Sequence, residues 1–193
     1  MAEYSGNGSW YALWTRHQHE KAAATILRNK GFEIFLPLYA VSSKWADRTK
    51  QVSFPLFPGY IFLREGLDRW LQIVTTPGVC GIVGWGGRPA AIAHSEIEGV
   101  RRMIESTLRV QPHPFLKTGD WVRVKSGPLA GLEGILVREK NFSRVVLSVE
   151  ILGKSAAVEV DVTATQRILS RTLGSVSETR ASVPEGLQLI ATG

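Results

Sequence analysis

Few residues in this sequence have the types and spacing that catalysis needs. Cys80 is the only cysteine, and the nearest histidine along the chain is His94. A thiol nucleophile needs a base that is itself oriented by a third group, and no residue in the pattern supplies one. We therefore predict that Cys80 is a small packed residue. With no catalytic constellation elsewhere, the sequence predicts a protein that is not an enzyme.

Metal and phosphate chemistry have equally little support. His17 and His19 stand two residues apart beside Glu20, but no cysteine cluster or HxxxH spacing accompanies them. The glycines of GWGG (84–87) match neither a GK[ST] loop nor a GxGxxG turn that opens a helix. They predict a hairpin turn before Pro89. The sequence predicts no metal site and no cofactor.

Basic residues beside aromatic rings indicate binding instead. The net charge is +6 and the isoelectric point about 9.7, which favours contact with a polyanion without proving it. Lysine and arginine neutralise phosphates, while rings stack on unpaired bases. The nucleic-acid-binding candidates are Arg16, His17, His19 and Lys21 in one cluster, and Lys44, Trp45, Arg48 and Lys50 in another. The alternative is a basic surface that is only solvated.

Alternating and helical patterns predict the elements that hold these residues. Strands are expected at 10–16, 32–41 and 52–64, with a polar connection at 42–51. Helices are expected before the stop signal at Gly31, over 67–75, and after Ser95, which could form a capping box with Glu98. A short strand is expected at 81–85. This order predicts an α+β fold, with an N-terminal βαββαβ-type sandwich over residues 9–108.

The second half of the chain changes character. Pro112 and Pro114 disfavour a helix, so residues 109–115 are expected to be a linker. Short, regularly spaced strands then predict a small all-β barrel over 116–169. Residues 170–193 lose the pattern and are expected to be a disordered or loosely docked tail.

Cellular location follows from what the chain lacks. No apolar run reaches the roughly 18–20 residues of a membrane span, and the N-terminal sequence shows no secretory signal. A lone cysteine fits a reducing compartment. We expect a cytoplasmic protein with no membrane partner, and a monomer.

Two sets of motifs resemble a known family. KSGPLAGLEGIL (125–136) resembles the KOW motif, which occurs on several RNA- and protein-binding SH3-like barrels. The first module is similar, in order and spacing, to the N-terminal domain of NusG transcription factors. The segments that carry this likeness are WYALWTR near the start, PLFPGYIFL at 55–63, TPGVCGIVGWGGRPAAI at 76–92 and SEIEGVRRMI at 95–104. The likeness covers residues 9–169, and SFPLFPGYIF resembles specialised paralogues of the RfaH or polysaccharide-operon antiterminator type.

This resemblance implies a transcription elongation or antitermination factor that binds RNA polymerase. The family's contact with the clamp of the largest polymerase subunit maps onto Trp14, Phe57, Pro58, Tyr60 and Phe62. Tyr60 and Phe62 share parity on one strand, which agrees with a common face. The alternative is that these aromatics fill the core. The basic clusters would lie near non-template DNA or nascent RNA and bind it weakly.

The resemblance also implies a partner for the barrel. The family's contact patch for the ribosomal protein NusE, or for Rho, maps onto Leu129, Leu132, Ile151 and Leu152. The alternative function is a ribosome- or RNA-binding KOW protein that does not contact polymerase. Such a protein needs a strongly basic barrel, whereas residues 116–170 hold eight Lys/Arg against six Asp/Glu.

Overall fold

The computed structural model describes residues 8–45, 48–115, 119–138, 143–149, 152–168 and 188–190. The chain divides into two compact units, Met1–Ile97 together with Gly186–Gly193, and Glu98–Glu185. The first unit contains β1 (Trp10–Thr15), α1 (Glu20–Asn29), β2 (Glu33–Phe35), β3 (Leu38–Trp45), β4 (Arg48–Pro55), β5 (Tyr60–Arg64), α2 (Trp70–Val74), β6 (Val79–Trp85), β7 (Arg88–Pro89), β8 (Ala91–Ile92) and β15 (Gln188–Ile190). The second contains β9 (Val110–His113), β10 (Asp120–Val124), β11 (Glu133–Arg138), β12 (Ser143–Val149), β13 (Lys154–Val160) and β14 (Thr165–Arg167). Helix α3 (His94–Glu105) crosses the division.

An antiparallel sheet forms the centre of the first unit. Its strands follow the order β15-β6-β1-β5-β2, and β7 and β8 pair with β6 and β1. Helix α1 packs on this sheet through Ala23, Ala24 and Leu27, which its helical spacing places together. They meet Leu13 from β1, Ile61 and Leu63 from β5, Ile73 from α2 and Ile82 from β6. The predicted mixed fold of this unit is confirmed.

Two predicted strands are each split in two. The expected strand 32–41 breaks around Pro37 into β2 and β3, because proline supplies no N–H for a central ladder. The expected strand 52–64 breaks at a turn over residues 56–59 into β4 and β5. Strands β3 and β4 pair with each other, from Leu38 opposite Pro55 to Trp45 opposite Arg48. The predicted polar connection at 42–51 is therefore a β-hairpin.

The second unit is built on a separate antiparallel sheet. Its strand order is β14-β10-β11-β12-β13-β9, which is the expected small all-β fold. The segment expected to be a linker supplies β9, whose Pro112 lies opposite Ala156 of β13. Proline is tolerated there because β9 is an edge strand of this sheet.

The structure describes one short part of the C-terminal tail. Residues Gln188–Ile190 form β15 and pair with β6 of the first unit, Leu189 opposite Val83. The rest of the predicted tail lies outside the described residues. Within the described part of the chain, no helix has the length and apolar character needed to cross a membrane.

Candidate binding surfaces

An aromatic pair lies on neighbouring strands of the first unit. Trp14 of β1 is directly opposite Tyr60 of β5, and 37% of Trp14 is exposed. Tyr60 is half-buried, and this burial raises the pKa of its phenol above the ordinary 10.0. Pro58, in the turn just before Tyr60, is exposed. Three of the five predicted polymerase-binding residues therefore offer accessible surface, which we call the aromatic surface (Trp14, Pro58 and Tyr60).

Hydrogen bonds fix the turn that presents this surface. The carboxylate of Glu20, itself only 3% exposed, accepts a hydrogen bond from the backbone N–H of Gly59 at 2.8 Å. The carbonyl of Gly59 accepts a second one from the N–H of Thr15 at 2.8 Å. Gly59 has a φ of +84°, which glycine adopts without strain, and a Cβ there would lie 3.6 Å from the indole nitrogen of Trp14. The turn is thus held by α1 at the N–H of Gly59 and by β1 at its carbonyl.

The other two predicted polymerase-binding residues lie in the core. Phe57 is 1% exposed and Phe62 is fully buried, and their rings meet edge to face at 5.7 Å. Phe35 continues the cluster, 6.1 Å from Phe62 and 6.3 Å from Trp10. The structure therefore differs from the prediction for Phe57 and Phe62, because this face of the sheet is covered as well as the helical face. Their burial agrees with the alternative that these two aromatics fill the core.

The first basic cluster is exposed at the turn between β1 and α1. Arg16, His17, His19 and Lys21 all have exposed side chains. The backbone N–H of Arg16 donates to the carbonyl of Gly78 at 2.8 Å, which brings the turn at 75–78 beside this cluster. The ammonium group of Lys21 donates to the carbonyl of Ser53 in β4 at 2.7 Å. Lys21 therefore links the cluster to the hairpin.

The second basic cluster lies on the β3–β4 hairpin. Lys44 and Trp45 are in β3, Arg48 and Lys50 are in β4, and Trp45 is the register partner of Arg48. Of these four residues the structure describes the backbone and not the side chains. The ladder does bring the four positions together near one end of the hairpin.

Sequence reasoning missed an aromatic pair at the other end of the same hairpin. Tyr39 and Phe54 are register partners with ring centroids 6.2 Å apart, and 45% of Phe54 is exposed. Both segments show the alternation typical of strands, but this alternation predicts that Tyr39 and Phe54 are neighbours only if 38–55 is recognised as a hairpin.

The predicted partner-binding leucines of the second unit are buried. Leu129, Leu132 and Leu152 are 1%, 5% and 6% exposed. In this structure these three side chains are therefore packed inside the second unit, and Ile151 lies outside the described residues. They belong to the KOW turn and the β12–β13 connection. In that turn Gly131 adopts a φ of +84° while its N–H donates to the carbonyl of Val124 at 2.7 Å.

Within the second unit, the C-terminal half of α3 packs against this turn. The guanidinium of Arg102 donates to the carbonyl of Ala130 at 2.6 Å. A Cβ added to Gly99 would lie 2.8 Å from Leu147 Cδ2 and 3.3 Å from Leu132 Cδ1. Glycine at position 99 thus allows the helix to approach the leucines more closely than any other residue would.

An open groove of about 970 Å³ lies beside the KOW turn. It is lined by Pro128 and Leu129 of the turn, by Arg109, and by Asp161 and Val162 from the segment after β13. Asp161 caps a short 3₁₀ turn by accepting from the hydroxyl and the backbone N–H of Thr163, which lowers the pKa of its carboxyl. The groove is an accessible feature of the second unit.

Among the residues described, no group of three or more His, Cys, Asp or Glu side chains could hold a metal ion. Cys80 is a half-buried free thiol.

The fold and the surfaces together define a class of protein, a mixed α/β unit with an aromatic and basic surface followed by a small all-β unit with a KOW-type turn. Comparison with known proteins gives the family. Residues 8–101 match the family described as "Transcription termination factor nusG". The transcription termination/antitermination protein NusG of Thermus thermophilus is 32% identical over 175 residues, covering 79% of this chain and 94% of that protein. This chain belongs to the NusG family.

Further relatives agree with this assignment. The NusG protein of Deinococcus radiodurans is 30% identical over 183 residues, covering 79% of this chain and 95% of that protein. The solved structure "Domain interaction in Thermotoga maritima NusG" aligns with a TM-score of 0.51 at 23% identity, covering 83% of this chain and 97% of that one. That structure supports the fold. The curated relatives are transcription termination/antitermination proteins, so this chain is their homologue.

Proposed function

We propose that this chain is a transcription elongation or antitermination factor that binds RNA polymerase through the aromatic surface. The observation that carries the proposal is the pairing of Trp14 with Tyr60, two large rings that remain accessible on a rigid sheet. Tryptophan and tyrosine are the residues most enriched at binding hot spots, and rigid strands reduce the entropy lost on binding. The partner we propose is the clamp of the largest polymerase subunit.

The basic clusters support a second contact of the same unit, with non-template DNA or nascent RNA. Arg16 and its neighbours are exposed, and Lys21 already contacts the hairpin that carries Lys44 and Arg48. We propose that this contact is weak for nucleic acid alone, because few cations are available to neutralise phosphates. Polymerase binding would then supply most of the affinity.

The second unit would recruit a ribosomal or termination partner through the KOW leucines. Since Leu132 is buried beside Gly99 of α3, its exposure to a partner requires the C-terminal half of α3 to leave the turn. The contact that must break includes the hydrogen bond from Arg102 to Ala130. Partner binding is therefore proposed to be coupled to this rearrangement.

The experiment that tests polymerase binding measures the affinity of the full chain for core RNA polymerase of its own species. Trp14→Ala removes an accessible ring of the aromatic surface. Trp85→Ala is the matched control, because Trp85 is 48% exposed on β6 and is not one of the proposed contact residues. We expect Trp14→Ala to weaken binding by about 30-fold, the loss typical of an interface hot spot, while Trp85→Ala changes it less than threefold.

Thermal unfolding of both variants separates loss of contact from loss of folding. Equal affinity of folded Trp14→Ala and wild type would overturn the proposed surface. Tight binding of wild type to free RNA at physiological salt, without polymerase binding, would instead favour the ribosome- or RNA-binding alternative.

A further inference from the structure

The outer edge of β6 carries a strand from the far end of the chain. On one side β6 pairs with β1, Leu13 opposite Ile82. On the other side it pairs antiparallel with β15, with Gln188, Leu189 and Ile190 opposite Gly84, Val83 and Ile82. Among the described strands, β15 is what closes this edge of the sheet.

The covered edge is apolar and would otherwise be open. Ile82 and Val83 are 0% and 1% exposed. A strand edge with unpaired N–H and C=O groups next to apolar side chains is a template for pairing with another extended chain. The edge is therefore a binding site for a strand, whatever segment occupies it.

The C-terminal segment has the composition that such a site selects. In the sequence, residues 186–193, GLQLIATG, contain no charged side chain and include three large aliphatic residues, Leu187, Leu189 and Ile190. The preceding stretch, 169–185, is instead rich in serine and threonine and carries Arg171, Glu178, Arg180 and Glu185. An uncharged apolar strand follows a polar stretch, which is the pattern of a tether that ends in a docking segment.

Chain length favours an occupant from the same molecule. Residues 169–187 separate the last described residue of the second unit, Ile168, from β15. An extended chain of that length reaches about 60 Å. A tethered segment also acts at a millimolar effective concentration, which a second molecule does not match at ordinary protein concentrations.

We propose that the outer edge of β6 is a strand-addition site whose occupant is the chain's own segment 188–190, and that an extended, uncharged apolar peptide can replace this segment. Three residue pairs are a short ladder, so the strand exchanges without unfolding of the sheet. The ligand class is thus an extended peptide strand. This site is separate from the aromatic surface, and its test does not depend on polymerase binding.

The first test follows backbone amide hydrogen exchange of β6 in the full chain. The carbonyl of Val83 accepts from the N–H of Ala90 on the other side of β6, so Leu189 is in a non-hydrogen-bonded pair and the N–H of Ile190 faces β6. Ile190→Pro removes that N–H and breaks the ladder. Ser175→Pro, in the stretch outside the described residues, is the matched control. We expect Ile190→Pro to speed exchange at Ile82 and Gly84 at least tenfold, with Ile61–Leu63 and the control unchanged. Equal protection in wild type and both variants would overturn the proposal.

The second test supplies the strand in trans. A labelled peptide of residues 184–193 is added to the full chain and to a chain ending at Gly186. We expect the peptide to bind the shortened chain at least tenfold more tightly than the full chain, and the same peptide with proline in place of Ile190 not to bind. Absence of binding to the folded shortened chain would overturn the site. A wild-type mass of twice 21.3 kDa by light scattering would overturn the intramolecular occupant, because the strand would then come from a second copy.

Discussion

The carboxylate of Glu20 holds the backbone N–H of Gly59 at 2.8 Å, so the first residue of α1 fixes the turn that carries Pro58 and leads into Tyr60. Glu20 is 3% exposed, and a buried carboxylate must be hydrogen-bonded to be tolerated. The helix, the turn and β1 therefore form one rigid support for the aromatic surface. Rigidity matters because a preorganised surface loses less entropy when it binds.

Replacing Glu20 tests that support. Glu20→Ala leaves the N–H of Gly59 without its partner, so we expect the free energy of unfolding to fall by about 1–3 kcal/mol. Glu20→Gln retains an acceptor oxygen, and a smaller loss is expected. Urea unfolding gives both values. Glu33→Ala is the control, because Glu33 forms an exposed ion pair with Arg64 at 3.3 Å, a type of pair worth about 0–1 kcal/mol. Equal losses for Glu20→Ala and Glu33→Ala would contradict the supporting role of Glu20.

The pH dependence of Tyr60 follows from its burial. Because burial favours the neutral phenol, the folded-state pKa lies above the ordinary 10.0. The stability from this residue is then fully present below the unfolded pKa and is lost as the pH rises through the folded pKa. Subtracting the phenolate absorbance of Tyr60→Phe from that of wild type isolates this tyrosine. A difference curve with its midpoint at or below 10.0 would show that Tyr60 is more exposed than described.

Gly99 tests the packing of α3 on the leucines. Gly99→Val introduces side-chain atoms where a Cβ already lies 2.8 Å from Leu147 Cδ2. We expect overpacking to lower the free energy of unfolding by about 1–3 kcal/mol and to expose Leu132, so that binding of a fluorescent hydrophobic dye increases.

Ser95→Val is the matched control, since Ser95 is exposed on the same helix. It should leave dye binding unchanged. Unaltered stability and dye binding in Gly99→Val would mean that the leucines are not covered by this helix.

The salt dependence of binding to single-stranded nucleic acid tests the basic residues of the β3–β4 hairpin. Changing Lys44, Arg48 and Lys50 together to alanine removes three candidate phosphate contacts. Each contact with a single strand contributes about 0.7 to the slope of log K against log salt, so the slope should become shallower by about 2. The control changes Arg138, Lys154 and Arg167, which are exposed cations of the second unit. An equal change in the slope for both triple variants would indicate a nonspecific effect of net charge.

Sequence patterns predicted the elements better than they predicted exposure. The parity of Tyr60 and Phe62 was read correctly, but parity cannot tell whether the face is covered. Both faces of β5 are covered at its centre, since Ile61 and Phe62 are each fully buried. Packing by segments distant in the sequence buries Phe62, and the local sequence around β5 does not predict that packing.

The leucines of the KOW turn and the proline segment show the same limit. The sequence places Leu129 and Leu132 in a turn, yet both side chains are buried, and Gly99 of α3 lies against Leu132. Pro112 indicated a linker. A proline is also compatible with an edge strand, and Pro112 lies in the edge strand β9. In each case the local signal was compatible with two outcomes, and a contact from a distant segment selected one.

The central claim, that the aromatic surface contacts polymerase, is tested most directly by photo-crosslinking in an elongation complex. A photoreactive phenylalanine analogue replaces Tyr60 in one preparation and Leu71 in another, because Leu71 is 66% exposed on α2 and lies outside the aromatic surface. We expect crosslinks from position 60 to the largest polymerase subunit and none from position 71. Crosslinks from position 71 alone, or from neither position in a complex that contains the factor, would contradict the account.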